Sequence, residues 1–421
     1  MPPAARLHAG HTMPALPDEN TETIPRGAFS CLSLAAMASG LSMRVNDALL
    51  PKLVTEFGVP LGTASQVISL FAIAYGLSQL LFGPAGDRFG KYRVIGWAAG
   101  ACAVTTLGCA LAPDFDALRI ARVLAGATAA ALIPLSMAWI GDVVPYDRRQ
   151  PILARFLIGQ IVGLSAGVWL GGFAADHLSW RAPYFAIGGL FAVVSVALFA
   201  VNRRLPARAR AMNPAGGSAV GRVVSEFASV MARPWARVIL GMVFLEGMFL
   251  YGPFAFLASH LHQTFGLSLS SAGAVVMLFG FGGFVFAVLS GRMVARLGEV
   301  GLARWGGSFM GIALLTIAYA PGWGWALAGC LLLGFGYYML HNTLQVNATQ
   351  MAPDRRGAAV SAFASCFFLG QSAGVWLGGL WLGAIGTAGF LAIGAIGVLG
   401  VAFMFAELRG RHARNGAAAT T

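Results

Sequence analysis

Long apolar runs, each close to twenty residues and parted by short polar breaks, constrain this chain more than any other feature of its sequence. Hydrocarbon about 30 Å thick takes roughly 20 helical residues to cross, and nothing inside it can hydrogen-bond an exposed peptide group. Such runs therefore fold as helices. The apolar–polar alternation of a membrane barrel does not occur in them. We read spans at 27–49, 62–84, 93–111, 117–141, 153–174 and 183–202, then at 237–259, 268–291, 302–320, 324–349, 358–381 and 387–406. The expected fold class is an all-α membrane protein of twelve transmembrane helices. Charged residues make up only 10% of the chain, against roughly 25% in soluble domains, so there is too little charge to cover a water-facing surface.

Between the sixth and seventh spans lies a polar, Arg-rich stretch that includes Asn213-Pro-Ala-Gly-Gly-Ser218. It reads as a linker. The expected organisation is an N-terminal tail over 1–26, a six-helix bundle over 27–202, the linker over 203–236, a second bundle over 237–406 and a tail over 407–421. The bundles repeat each other. Ser165-Ala-Gly-Val-Trp-Leu-Gly-Gly172 recurs unchanged as Ser372-Ala-Gly-Val-Trp-Leu-Gly-Gly379, an offset of 207 residues. At the same offset Asp147-Arg148-Arg149 falls on Asp354-Arg355-Arg356, and at 208 Gly83 to Gly90 falls on Gly291 to Gly298. Parallel repeats of this kind place a substrate site near mid-membrane, where the two pseudo-symmetric bundles meet and rock against each other.

The net charge of +12 invites a nucleic-acid reading, which the placement of the basic residues excludes. With the N-terminus in the cytoplasm, all but five of the 28 Lys and Arg residues fall on cytoplasmic segments or helix ends. Lys52, Arg119 and Arg181 lie on the outer side, while Arg44 and Arg122 lie within spans. The basicity is therefore the positive-inside bias, and both termini are expected in the cytoplasm. The five cysteines all sit in spans without metal or redox spacing, so neither metal nor cofactor is expected. The polar, Pro-rich first 26 residues lack the pattern of a signal peptide, and the first span is expected to remain in the mature protein. Heavy use of Arg and Ala, with only two Lys, hints at a GC-rich bacterial genome and hence a bacterial inner membrane.

After the second span the chain reads Gly83-Pro-Ala-Gly-Asp87-Arg88-Phe-Gly90-Lys91-Tyr-Arg93. Its glycines permit a tight reversal, and Asp87 with the nearby cations can form charge and helix-end contacts that break and re-form. An ordinary basic loop is the plainer alternative. The run closely resembles the G-x-x-x-D-R-x-G-R/K-x-R/K signature of the major facilitator superfamily, and the resemblance implies a gate. In the second copy Ala295 replaces the acid, so the two gates are not expected to be equivalent. Arg122-Val-Leu-Ala-Gly126 in the fourth span looks like the R-x-x-x-G element of that superfamily's proton-driven members. The fifth span, with Gly163, Gly167, Gly171 and Gly172 followed by Trp180-Arg181-Ala-Pro-Tyr-Phe185, is similar to the antiporter motif G-x-x-x-G-P-x-x-G-G and its W-R-x-x-F sequel. Val168 stands at the proline position, a departure that weakens the antiporter inference. Glycines four apart form a groove for close helix contact, expected here against Gly280, Gly282 and Gly283. The resemblance covers nearly the whole chain and is greatest to twelve-helix drug/proton antiporters and related bacterial metabolite exporters.

Polar residues inside spans are costly and mark candidate sites. The first span carries Ser33, Met37, Gly40, Arg44 and Asp47 on one face. Asp47 and Arg122 lie about 6 and 8 Å below the outer edge, depths that permit a pair. Glu246, about 14 Å deep in the seventh span, is the acid nearest mid-membrane in the second half. Desolvation favours the neutral form of a carboxyl, the property that a proton-coupling group uses. Asp47, Arg122 and Glu246 are therefore the proton-coupling candidates. In the tenth span Tyr338, His341, Asn342 and Gln345 form a polar stripe that reads as a cavity wall, with a polar seam between helices as the structural alternative. Together with Arg44 they are the substrate-cavity candidates. The aromatic and Met residues read as packing. The functional expectation is a monomeric secondary transporter that exports small amphipathic compounds or metabolites against protons by alternating access. An uptake symporter of the same fold is the nearest alternative; no nucleophile with its base or nucleotide loop marks an enzyme, and no sensor domain marks a receptor. A channel would lack saturable counterflow.

Overall fold

The computed structural model describes residues 24–210, 212 and 219–418. Most of the expected N-terminal tail (1–23) and the Asn213–Ser218 part of the linker lie outside the described residues. The chain is built from α1 (Gly27–Phe57), α2 (Leu61–Phe89), α3 (Lys91–Ala110), α4 (Phe115–Val143), α5 (Arg148–His177), α6 (Ala182–Arg204), α7 (Pro234–Phe265), α8 (Leu269–Tyr319), α9 (Gly324–Gln350) and α10 (Pro353–Arg414). Among the described residues nine of these are long and apolar enough to cross a membrane. The exception is α9, whose polar residues His341, Asn342, Gln345 and Asn347 dilute its apolar content. Two helices are interrupted by a glycine with non-helical backbone, α8 at Gly298 (φ 58°) and α10 at Gly386 (φ 66°).

Several helices outrun the spans read from hydropathy. The first continues through Pro51 to Phe57 and stops at Gly58 in the left-handed region. The second carries the Gly83–Arg93 motif in helical form to Phe89, so the reversal is made at Gly90 (φ 88°) rather than by a loop. A linker helix, Ala219–Met231, packs on both α2 and α10.

Contacts between loops define two faces. Arg181 pairs with Glu56 (3.7 Å) on one, and Arg233 with Asp354 (2.5 Å) on the other, where the described chain begins and ends. We call the latter the terminal face. Within the first bundle α1 packs on α5 through glycines that leave no room for a side chain. A Cβ on Gly163 would lie 2.1 Å from the Met37 carbonyl oxygen, and one on Gly167 2.9 Å from that of Leu41. In the second bundle Gly370 stands 1.9 Å from the Phe244 oxygen and Gly374 2.2 Å from that of Met248, on the same measure. Every residue in the second pair of contacts is 207 positions after its counterpart in the first.

The same correspondence governs how the halves meet. Gly172 of α5 abuts the Leu269 oxygen of α8 (2.1 Å), and Gly379 of α10 abuts the Gly62 oxygen of α2 (2.8 Å), again at an offset of 207. Along the α2–α10 seam Ser372 Oγ donates to Ser69 O (2.8 Å) and Ser365 Oγ to Gly76 O (2.7 Å). Along the α5–α8 seam Gly280 takes the Ser165 side chain and Gly273 faces Val168. Toward the terminal face Gly83, Gly291 and Gly357 meet open space. The halves are thus in backbone contact at the opposite face, while at the terminal face the linker helix touches both α2 and α10.

The fifth-span glycines accordingly serve two partners, which corrects the expectation of a groove facing α8 alone. Gly163, Gly167 and Gly171 receive the α1 backbone, while Gly282 and Gly283 of α8 are covered by Leu331 and Tyr338 of α9. Spacing of four places residues along one stripe of a helix, and the stripe one residue over, Ser165, Val168 and Gly172, is the one that reaches α8.

Candidate functional site

At the middle of the α5–α8 seam a narrow cleft is walled by α1, α5, α7, α8 and α9. Its volume is about 20 Å3, room for about one water molecule and far below the several hundred Å3 of a drug-sized pocket. Arg44 enters it from α1. The guanidinium lies 4.0 Å over the Tyr251 ring and 5.0 Å from that of Phe254. Its Nη1 donates to Asp47 Oδ2 at 3.3 Å. Asp47 is buried behind Arg44, outside the cleft wall, and its Oδ1 has no protein partner among the described residues.

This arrangement replaces the expected pair of Asp47 with Arg122. Arg122 is fully buried and donates from Nε to Val67 O (3.0 Å) and from Nη1 to Ser42 O (3.1 Å), with its face 4.1 Å from the Phe71 ring. Depth along the membrane normal was matched for the two residues, but rotation about the helix axes was not. Arg44 sits one helical turn before Asp47 and reaches it first.

Aromatic rings join this pair to a second one. Tyr251 meets Tyr337 edge-on (5.3 Å), and Tyr337 stacks on His341 (4.8 Å). His341 Nδ1 is 2.8 Å from Glu246 Oε2. Glu246, the acid read as nearest mid-membrane in the second half, is therefore paired; it is fully buried, with Oε1 unpartnered among the described residues. The residues Gly247–Tyr251 that follow Glu246 form a π-helical turn. Such turns are frequent at functional sites, and this one carries Tyr251 to Arg44. The aromatics read as packing thus form the wall between the two charged pairs.

Of the polar stripe on α9, Tyr338 lines the cleft and His341 holds Glu246, whereas Asn342 and Gln345 are half-buried and hydrogen-bond to no described residue. The Gly83–Arg93 motif lies at the terminal face. Lys91 contacts Asp142 (2.5 Å) and Asp87 (3.5 Å), Arg88 lies 5.2 Å from the Phe89 ring, and Arg93 lies over Trp97. All these partners belong to the first half.

Two groups escaped the sequence reading. Asp176, at the end of α5, accepts from Leu269 N (3.2 Å), Ser270 N (2.6 Å) and Ser270 Oγ (2.5 Å), capping α8 across the seam. Asp176 precedes a serine-rich helix start in the other half, a signal readable only once α5 and α8 are known to touch. On the terminal face Glu299 accepts from Asn347 Nδ2 (2.8 Å) and Arg409 Nε (2.6 Å), supplying four residues after Ala295 the acid that the second motif copy lacks.

Comparison with known proteins agrees with this architecture. The sequence profile of the Major Facilitator Superfamily matches residues 32–375. The uncharacterized MFS-type transporter YceJ of Bacillus subtilis is 25% identical over 331 residues, covering 79% of this chain and 83% of the relative. A chloramphenicol resistance protein of Streptomyces lividans is 27% identical, covering 83% and 91% respectively. The crystal structure of the human organic anion transporter MFSD10 superposes with a TM-score of 0.68 at 20% identity, over 90% of this chain and 98% of that one. The chain belongs to the major facilitator superfamily of membrane transporters.

Proposed function

We propose that this transporter is a proton-coupled exporter of small amphipathic compounds, working by alternating access. The observation that carries the reading is the pairing of fully buried Glu246 with the partly buried His341, joined through Tyr337 and Tyr251 to the Arg44–Asp47 pair at the cleft that both halves line. An isolated charge at that depth is costly, so a proton gained or lost by the pair changes the charge balance next to the site. Arg122 and Asp47 take part by holding the first-half side of the cleft. Similarity to a chloramphenicol resistance protein supports the outward direction. Protons are the coupling ion; no other cofactor and no nucleic acid takes part.

In this reading the breaks at Gly298 and Gly386 divide α8 and α10 into two crossings each, and with α9 the chain crosses a bacterial inner membrane twelve times. The basic terminal face is cytoplasmic, and the inward-open state of the carrier parts the halves there. The Gly83–Arg93 motif then closes against the second half when the carrier turns outward. The protein functions as a monomer.

Vesicles of defined orientation, loaded with whichever of chloramphenicol and naphthoate the purified protein binds and given an imposed pH gradient, test the direction. Efflux driven by acidification of the outside supports export, and accumulation under the same gradient would establish the symporter instead. Transport indifferent to the gradient in both directions removes proton coupling.

A further inference from the structure

The cleft wall carries a chemical preference. Arg44 is its one charged side chain among the described residues; the rest are apolar, aromatic or hydroxyl-bearing. The face of the guanidinium is taken by Tyr251 and Phe254, and Nη1 by Asp47. Nε and Nη2 donate no hydrogen bond among the described residues. These two nitrogens form one edge of the guanidinium, the edge that meets both oxygens of a planar carboxylate. Charge points the same way. Arg44 and Arg122 are both buried, yet among the described residues Asp47 is the one acid paired with either, and Arg122 has backbone carbonyls for partners. Two guanidiniums sharing one carboxylate leave an uncompensated positive charge beside the cleft, and burial makes that imbalance costly until an anion supplies the balance. The Glu246–His341 pair does not offset it, because its two members hold each other outside the cleft wall.

We propose that the substrate class is the amphipathic organic anion, an aromatic or similarly apolar carboxylate, bound with its carboxylate on the Nε–Nη2 edge of Arg44. The inference rests on the transport reading above. The apolar body lies against Phe254, Phe279 and Tyr338, with Ser165 as a further hydroxyl partner. Asp47 stays behind Arg44 and fixes the guanidinium so that its open edge faces the cleft. The narrow volume of this conformation means that the ligand enters as the halves part, while the chemistry of the wall decides which ligand stays. A cationic body of equal size would meet Arg44 head-on, and a neutral one would leave its edge unpaired.

Three isosteric probes separate these cases on the purified full-length protein at neutral pH: naphthoate, naphthamide and naphthylmethylammonium, measured by equilibrium binding without any gradient. Naphthoate is expected to bind at least about tenfold more tightly than either of the others, which corresponds to about 1.4 kcal/mol. Arg44→Gln should erase that preference. Arg44→Lys, which keeps the charge without the planar fork, should retain part of it. The proposal is overturned if wild-type protein binds the amide or the cation as tightly as the carboxylate, or if naphthoate fails to bind at millimolar concentration. A folded Arg44→Gln protein with undiminished preference overturns it equally. If Arg44→Gln does not fold, the wild-type ranking and Arg44→Lys decide. Naphthoate held through Arg44 but moved by neither direction of pH gradient sinks the export reading and upholds this one. Gradient-driven efflux with the cation preferred does the reverse.

Discussion

Adding one methyl group at Gly163 should loosen the first bundle, and adding one at Gly370 should loosen the second by a similar amount. The new Cβ would stand 2.1 Å from the Met37 oxygen in one case and 1.9 Å from the Phe244 oxygen in the other. Backbone cannot rotate away as a side chain can. Bringing either contact out to a tolerable separation moves the facing helix by ~1 Å, which opens the neighbouring contacts at Gly167 or Gly374 as well. Overpacking of this kind costs about 1–3 kcal/mol. Gly189 and Gly241, also inside helices, have nothing within 4 Å of their would-be Cβ atoms. Alanine there removes unfolded-state freedom and should be neutral or stabilising by about 0.5–1 kcal/mol. The check is the fraction of detergent-solubilised protein that survives heating, read by fluorescence-detected gel filtration for all four variants. The expected order puts Gly163→Ala and Gly370→Ala together at the bottom, below wild type, with Gly189→Ala and Gly241→Ala at or above it. If Gly163→Ala melts with Gly189→Ala, the glycine-to-carbonyl contacts do not set the helix spacing and the reasoning fails.

Other consequences can be measured directly. Glu246→Gln keeps size and a hydrogen bond to His341 but cannot cycle a proton, so vesicle transport driven by a pH gradient should vanish while substrate exchange persists; full gradient-driven transport removes Glu246 from coupling. Asp47→Asn should lower substrate affinity more than proton dependence, since it frees Arg44 to move, and the opposite split in a combined binding and transport assay refutes that role. Asp176→Asn should weaken the α5–α8 clasp by about 1–2 kcal/mol through loss of charge-assisted hydrogen bonds, broadening spin-label distances between Leu178 and Gln263; an unchanged distribution refutes the clasp. Cysteines placed at Lys91, Arg210 and Arg355 should be shielded from an impermeant outside reagent in intact cells, and those at Asp114 and His262 labelled, with the reverse pattern inverting the proposed orientation.

Much of the fold is legible because membrane physics restricts the choices. The apolar runs give the helices, and the octet at Ser165 and Ser372 gives the repeat, down to contacts that the structure reproduces at the same offset. The site is legible as a set of residues and not as a set of bonds. Arg44, Asp47, Arg122, Glu246 and His341 all stand out as polar groups in apolar surroundings. Their pairing depends on the rotation of each helix about its axis, to which hydropathy is blind. Hence Arg44 rather than Arg122 holds Asp47, and Glu246 finds His341 across 95 residues of sequence. Tyr251 gives no sequence signal for its role, since a π-helical turn has no pattern of its own and an aromatic residue in a span is ordinarily packing. Glu299 gives no signal through the repeat because it lies one residue beyond the repeated Gly291 to Gly298 stretch.

The asymmetry of Asp176 bears on how the chain assembles during synthesis. The first half leaves the ribosome with both of its seams exposed, and its Gly172 surface is shaped for a helix start of the kind that its own α2 also presents at Gly62, the position 207 residues before Leu269. Two nascent first halves are therefore near-matches for each other. The carboxylate of Asp176 grips the amides of Leu269 and Ser270 together with the Ser270 hydroxyl, donors that Gly62 and Thr63 also offer 207 residues earlier, whereas the second half has Gly383 where the first has Asp176. One acid placed in only one of two repeat-related seams thus belongs to the surface that receives a helix start in the first half alone, so the second half's Gly383 surface has no such grip and the two closures of the duplicated chain are chemically unequal.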